Sequence, residues 1–205
     1  MQKIAFIFTL CVAVVTLEAK YRDGSAVWEN NELRGFCQKA VSQQEDFRVF
    51  RSHPIARVFF ENASEEVGRE CLLAIQSRFP ELYADLSRLR QCDSLGSPIP
   101  FRYPGAGDFS PDTLRWIKIA GELKQRLGSL DGKNIVMIGA GFGGFAKVIA
   151  DLFPKAKLTL VDTKENVLLA RRFLEALHIQ NAECFSLNSL PKQNWDLVLS
   201  DYAFS

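Results

Sequence analysis

Histidine is scarce in this 205-residue chain, where His53 and His178 are the only two. A histidine-based metal centre or a Ser-His-Asp triad therefore has little to be built from. His53 precedes Pro54 and His178 follows an amphipathic stretch, so both read as structural. Cysteine is sparse too: there are five, with no CxxC pair and no other metal-ligand spacing. Cys11 lacks the small preceding residue that a lipoprotein cleavage box needs. Cys37, Cys71, Cys92 and Cys184 permit disulfides in an exported chain, but read better as small buried apolar residues. Charge of one sign is also missing, because 25 Lys and Arg face 24 Asp and Glu. A net charge of +1 provides no long-range field to gather nucleic acid or anionic lipid, and neither is an expected partner. With 47% apolar and 24% charged residues, the chain is no disordered polyelectrolyte, collagen or multi-span membrane protein. Internal repeats and low-complexity tracts are lacking.

The one long apolar run covers residues 4–17, after the basic start Met1-Gln2-Lys3 and before Leu17-Glu18-Ala19. At about 14 residues it is too short to cross a bilayer core of roughly 30 Å as a helix. It reads as a signal peptide over residues 1–19 of an exported protein, with no membrane association after cleavage. The alternative is a buried N-terminal element of a cytoplasmic protein.

Residues 20–130 read as a mainly helical N-terminal region. In Asn62-Ala63-Ser64-Glu65-Glu66, Ser64 can cap a helix whose positive end the two glutamates favour. The same residues form a glycosylation sequon, a reading that needs a eukaryotic secretory source. Val67, Cys71 and Ile75 then recur on one face. Pro80 interrupts the pattern, and Leu82, Leu86 and Leu89 mark one further short helix. Residues 93–110 are dense in glycine and proline and predict an irregular, rigid connection of the kind that lines sites. Ser110 as N-cap and Pro111 as first helical residue open another helix, with Trp116, Ala120, Leu123 and Leu127 on one face.

From residue 131 the period changes to alternating strand and helix, the pattern of an α/β, Rossmann-like parallel sheet. Strands are predicted over residues 134–138, 158–162, 182–187 and 195–200. Between the first strand and its helix lies Gly139-Ala140-Gly141-Phe142-Gly143-Gly144. Such a turn lets backbone approach a ligand and aims helix N–H groups at it. Asp162 ends the second strand, 23 residues after Gly139, where a carboxylate can accept both hydroxyls of an adenosine ribose. Strand, glycine turn, helix and acid together point to an adenosine cofactor; the alternative is a purely structural tight turn. The spacing also satisfies the dinucleotide pattern of NAD- and FAD-binding oxidoreductases.

The approach Leu152-Phe153-Pro154-Lys155-Ala156-Lys157 to Val161-Asp162 resembles that of class I methyltransferases, as does Asn194-Trp195-Asp196-Leu197-Val198-Leu199-Ser200-Asp201-Tyr202. A narrower resemblance is carried by three segments: Asp108-Phe109-Ser110-Pro111-Asp112-Thr113-Leu114-Arg115-Trp116, the glycine turn, and Ser200-Asp201-Tyr202-Ala203-Phe204-Ser205. Together with His53-Pro54 and the helix after Ser64, they look like the sugar O-methyltransferase family over roughly residues 50–205. The resemblance implies methyl transfer from S-adenosyl-L-methionine (SAM) to a hydroxyl of a saccharide or other small acceptor. It implies Gly139, Ala140, Gly141 and Gly143 at the methionine side, Asp162 at the ribose and Asp201 near the methyl. Asn188 is a candidate for the adenine edge, and Asp108 and Arg115 either face a substrate or serve the loop and the helix surface. No general base is assigned.

This sequence departs from the pattern at two positions. The acid that usually stands two residues before the first glycine is Met137, and Asp201 replaces an Asn. Loss of one charged hydrogen-bonding group implies SAM binding weaker by about 1.5–3 kcal/mol. Only 75 residues follow residue 130, about half a sheet at roughly 30 residues per strand-crossover-strand unit. The expectation is an incomplete class I methyltransferase core holding strands one to four, the fourth an exposed apolar edge open to self-association. A non-catalytic remnant that binds SAM or an interaction partner is the corresponding alternative.

Overall fold

A computed structural model describes residues 30–200. The expected leader over residues 1–19 and the candidate Asp201 lie outside the described residues.

Helices come first. Asn30 caps α1 (Asn31–Ser42) by accepting the Leu33 amide at 2.9 Å. After α2 (Gln44–Val49), His53 caps α3 (Pro54–Phe59): its Nδ1 accepts the Ile55 amide at 3.2 Å, and its ring stacks on Phe36. Ser64 caps α4 (Glu65–Arg78) as the sequence predicts, accepting the Val67 amide at 3.3 Å, and Cys71 and Ile75 are buried on its inner face. Where one helix was expected the chain forms two, α5 (Pro80–Ala84) and α6 (Leu86–Leu89), which break at Asp85 yet bury Leu82, Leu86 and Leu89 together.

The Gly/Pro-rich segment is more regular than expected. It contains an antiparallel hairpin, β1 (Phe101–Tyr103) with β2 (Gly107–Phe109), anchored by the buried Tyr103 and Phe109. Strands of three residues are too short to display an alternating pattern among prolines and glycines. Asp108 pairs with Arg102 across the hairpin at 2.7 Å on its exposed side, so this carboxylate serves the loop.

α7 (Pro111–Leu127) buries Leu114, Trp116, Ile117, Ala120 and Leu123 along one stripe. Then follow β3 (Asn134–Ile138), α8 (Gly144–Leu152), β4 (Lys157–Asp162), α9 (Lys164–Ala176), β5 (Ala182–Ser186) and β6 (Leu197–Ser200). The four strands pair in parallel in the order β5-β4-β3-β6, a Rossmann-like α/β sheet behind a helical N-terminal region. The pleat sends Ile135, Met137, Leu158, Leu160, Leu197 and Leu199 into the main core. The expectation of an exposed Leu197-Val198-Leu199 run is thereby corrected. Both leucines are buried, and Val198 alone points outward at 36% exposure, because alternate residues of a strand face opposite ways. Among the described residues β6 pairs with β3 alone.

A single core joins the two regions. Phe142 stands at its centre, ring to ring with Phe50, Phe60, Trp116 and Phe173 at centroid distances of 4.9 to 5.8 Å. The four described cysteines are free and buried. Among the described residues no helix is long and apolar enough to cross a membrane, and no cluster of His, Cys, Asp or Glu could hold a metal.

Candidate functional site

The chain runs from β3 outward through β4 to β5, then returns to place β6 on the other side of β3. Between β3 and β6 the connections diverge, and the carboxyl ends of the strands leave a crevice there. The glycine turn fills the β3 end of it. Gly139, Gly141 and Gly143 have φ of 71°, 56° and 89°, values that a side chain disfavours. Their amides are engaged within the protein. Gly139 donates to the Val161 carbonyl at 2.9 Å, Gly141 to Asp162 Oδ2 at 2.8 Å and Gly143 to the Ala140 carbonyl at 3.0 Å. These glycines thus shape the turn rather than supply its donors.

Two side chains fix the turn from below. Phe142 is rooted in the aromatic core. A Cβ on Gly144 would lie 2.4 Å from the Trp116 ring, so α7 and the start of α8 touch only because no side chain intervenes.

Asp162 is 3% exposed. Its Oδ1 accepts the Thr163 amide at 2.7 Å and the Asn166 side-chain amide at 2.9 Å, while Oδ2 holds Gly141. Burial raises its carboxyl above the ordinary aspartate value, and these donors pull it back. Asn166 in turn accepts from the Cys37 thiol at 3.3 Å, which ties α1 to the same corner.

An open cleft lies over the turn. Its floor is Met137, Ile138, Gly139, Ala140, Gly141 and Leu199; its wall is Phe59, Phe60, Asn62, Arg115 and Trp116. Arg115 forks onto Asp112 through Nε at 3.2 Å and Nη2 at 3.0 Å, and Asp112 also accepts the Ala63 amide at 3.0 Å. Asp112 is 1% exposed; burial raises its carboxyl and Arg115 pulls it down.

Behind the turn lies a buried charge cluster that the sequence did not disclose. Arg51, wholly buried, pairs with Glu61 and with Asp93 at 3.0 Å, donates to the Cys92 carbonyl at 2.7 Å and sits 5.1 Å over the Phe142 ring. Asp93 accepts the Ser110 amide and the Thr113 hydroxyl at 2.8 and 2.7 Å. The Ser110 hydroxyl donates to Glu61 at 2.7 Å. α7 therefore starts at Pro111 as predicted, but Ser110 makes no side-chain cap bond, its hydroxyl being drawn to the buried carboxylate.

Of the residues singled out in the sequence, Gly139, Ala140, Gly141 and Arg115 come together on the cleft, with Met137 beneath them. Gly143 lies instead against Leu174 and Leu160, and Asp162 stands behind the turn. Asn188 lies in the exposed single turn Leu187–Ser189, and Asp108 on the hairpin. Phe59, Phe60 and Asn62 were missed. They are the last residue of α3 and part of the link from it to α4, which no local pattern marks as near the glycines.

No protein-family model and no curated protein matches the chain. Among solved structures it is similar to the YcgJ protein from Bacillus subtilis, with 25% identity over 41% of this chain and 37% of that one, at a TM-score of 0.36. It is also similar to coclaurine N-methyltransferase bound to N-methylheliamine and SAH, with 11% identity over 82% of this chain and 48% of that one, at a TM-score of 0.40. Mitomycin 7-O-methyltransferase MmcR aligns at 16% identity over 80% of this chain and 48% of its own, with a TM-score of 0.35. The chain spans between 37% and 48% of the length of these three.

Proposed function

We propose that the chain binds an S-adenosyl cofactor at the glycine turn and serves transfer of its methyl group to a hydroxyl, with a sugar as the acceptor. The observation that carries the reading is the cleft itself. It opens at the switch point between β3 and β6, with Gly139, Ala140 and Gly141 as its floor. The sugar acceptor rests on the resemblance of the Phe109-Ser110-Pro111 and Tyr202-Ala203-Phe204-Ser205 elements.

The residues present fit such a group. A side chain on Gly141 would reach within 3.3 Å of the Phe60 ring and narrow the cleft. The Ser200 hydroxyl, at the cleft end of β6, is buried without a hydrogen-bond partner among the described residues. When bound, the cofactor supplies an electrophilic methyl on a sulfonium sulfur. Phe59, Phe60 and Trp116 offer aromatic faces that suit a cation and exclude water. Asp162 would hold the ribose only through acceptor capacity left by three internal donors, which favours modest affinity. Among the described residues no carboxylate or imidazole lines the cleft, and what those residues contribute to this reading is positioning of the reactants.

That engagement of Asp162 also favours a second reading, a non-catalytic protein that keeps the fold and binds the cofactor weakly or not at all. Calorimetric titration of S-adenosylhomocysteine, followed by methyl transfer from labelled SAM to a saccharide panel, separates the two. Micromolar binding with transfer is the expected outcome. Binding without transfer supports the second reading, and NADH binding in place of S-adenosylhomocysteine overturns both.

A further inference from the structure

We propose that the apolar segment over residues 4–17 docks on the second face of the parallel sheet and is kept there, not removed as a leader. Topology is the first argument. β3, β4 and β5 follow one another in a single direction, so right-handed crossovers put α8 and α9 on the same face. α7 packs on α8, α4 on α7 and α1 on α9, which extends the helical layer on that side. The pleat turns Val136, Thr159, Val161, Phe185 and Val198 to the opposite face. Parallel sheets are almost always covered on both faces.

Burial is the second argument. Val136 and Val161 are each 2% exposed, yet among the described residues they are the two buried apolar side chains that stand outside the main core. The connection from β5 to β6 returns across this side. None of its residues 187–196 is buried, and Leu187 and Leu190 face solvent, so it lays no apolar layer there. The apolar cover comes from elsewhere.

Composition and reach name the occupant. Residues 4–17 carry no charged side chain and include Ile4, Phe6, Ile7, Phe8 and Leu10. A segment that is apolar all round demands burial. As a helix it would measure about 21 Å, against roughly 14 Å across the three gaps of a four-stranded sheet. Residues 18–29 lead from it to the start of α1. Extended, they reach about 40 Å, enough to pass the β5 edge from α1 on the helical side. The inference takes up the alternative reading of the N-terminal run and does not depend on the cofactor.

The test links the native Cys11 thiol to a thiol introduced on the second face. Val198→Cys provides that thiol, and Leu73→Cys, on the exposed side of α4, is the control. Each full chain is treated with a short bismaleimide and mapped by mass spectrometry. The expected result is an intact Met1 end and a link within one chain from Cys11 to position 198, absent for position 73. No link from Cys11 to position 198, a link between two copies through position 198, or a chain that begins after Ala19 overturns the proposal. Val14→Asp combined with Val15→Asp then separates docking from a chance encounter of a loose tail. A thermal midpoint lower by several degrees is expected, and an unmoved midpoint overturns the docking.

Discussion

The Gly141 amide donates to Asp162 Oδ2 at 2.8 Å, so the end of β4 holds the turn that follows β3. The same carboxylate takes the Thr163 and Asn166 donors, and its removal strands three donors at once, that of Asn166 buried. Asp162→Ala is expected to destabilise the fold by at least about 1–3 kcal/mol, and Asp162→Asn, which keeps one oxygen, by less. Urea midpoints check this; wild-type midpoints in both variants would mean that the turn stands without its tether.

Arg51 is the sole cation bonded to Glu61 and Asp93 among the described residues, and it also roofs Phe142. Arg51→Met leaves two largely buried carboxylates without their cation. A loss of about 3–5 kcal/mol is expected, as for other broken buried pairs. Guanidinium denaturation reads it, and a loss below about 1 kcal/mol would contradict a structural role for the cluster.

Gly144→Ala puts a methyl group where the Trp116 ring lies, 2.4 Å from two of its carbons. Overpacking of this kind costs about 1–3 kcal/mol. The thermal midpoint should fall and Trp116 emission should shift; unchanged values of both would mean that α7 and α8 separate freely.

Burial sets Glu61 above the ordinary glutamate value of 4.5, with Arg51 opposing and Asp112 adding to the rise. A carboxyl raised on folding contributes stability that is present below its unfolded value and lost as pH rises through its folded value. Stability should therefore decline with pH across the window above 4.5, and Glu61→Gln should flatten that decline. Urea midpoints over the window decide; an identical slope in the variant refutes the assignment.

Burial pushes the thiols of Cys37 and Cys92 up to about 12 and those of Cys71 and Cys184 to about 11. At mildly alkaline pH all four remain thiols and react only through opening of the structure. Site-resolved alkylation, mapped by mass spectrometry, should label them no faster than the protein unfolds.

How far the fold was legible depended on the range of each interaction. The Ser64 cap, the Pro111 helix start, the four strands and the positive-φ glycines all act within a few residues, and each was readable locally. The hairpin at residues 101–109 was not, because its strands are too short to show a period and are held by Tyr103 and Phe109 from outside. Ser110 had the right residue type for a cap, yet a partner 49 residues away claimed its hydroxyl.

The sequence by itself determined the order of helices and strands, the parallel α/β class and the turn at Gly139, Gly141 and Gly143, since these follow from periodicity and backbone sterics. Tertiary structure decided what that turn touches. Only the packed chain brings Arg51 over Phe142, Trp116 onto Gly144, and Phe60, Asn62 and Arg115 to the cleft wall. It also turns Asp162 inward, because a buried carboxylate must satisfy its oxygens with the donors that folding brings within reach.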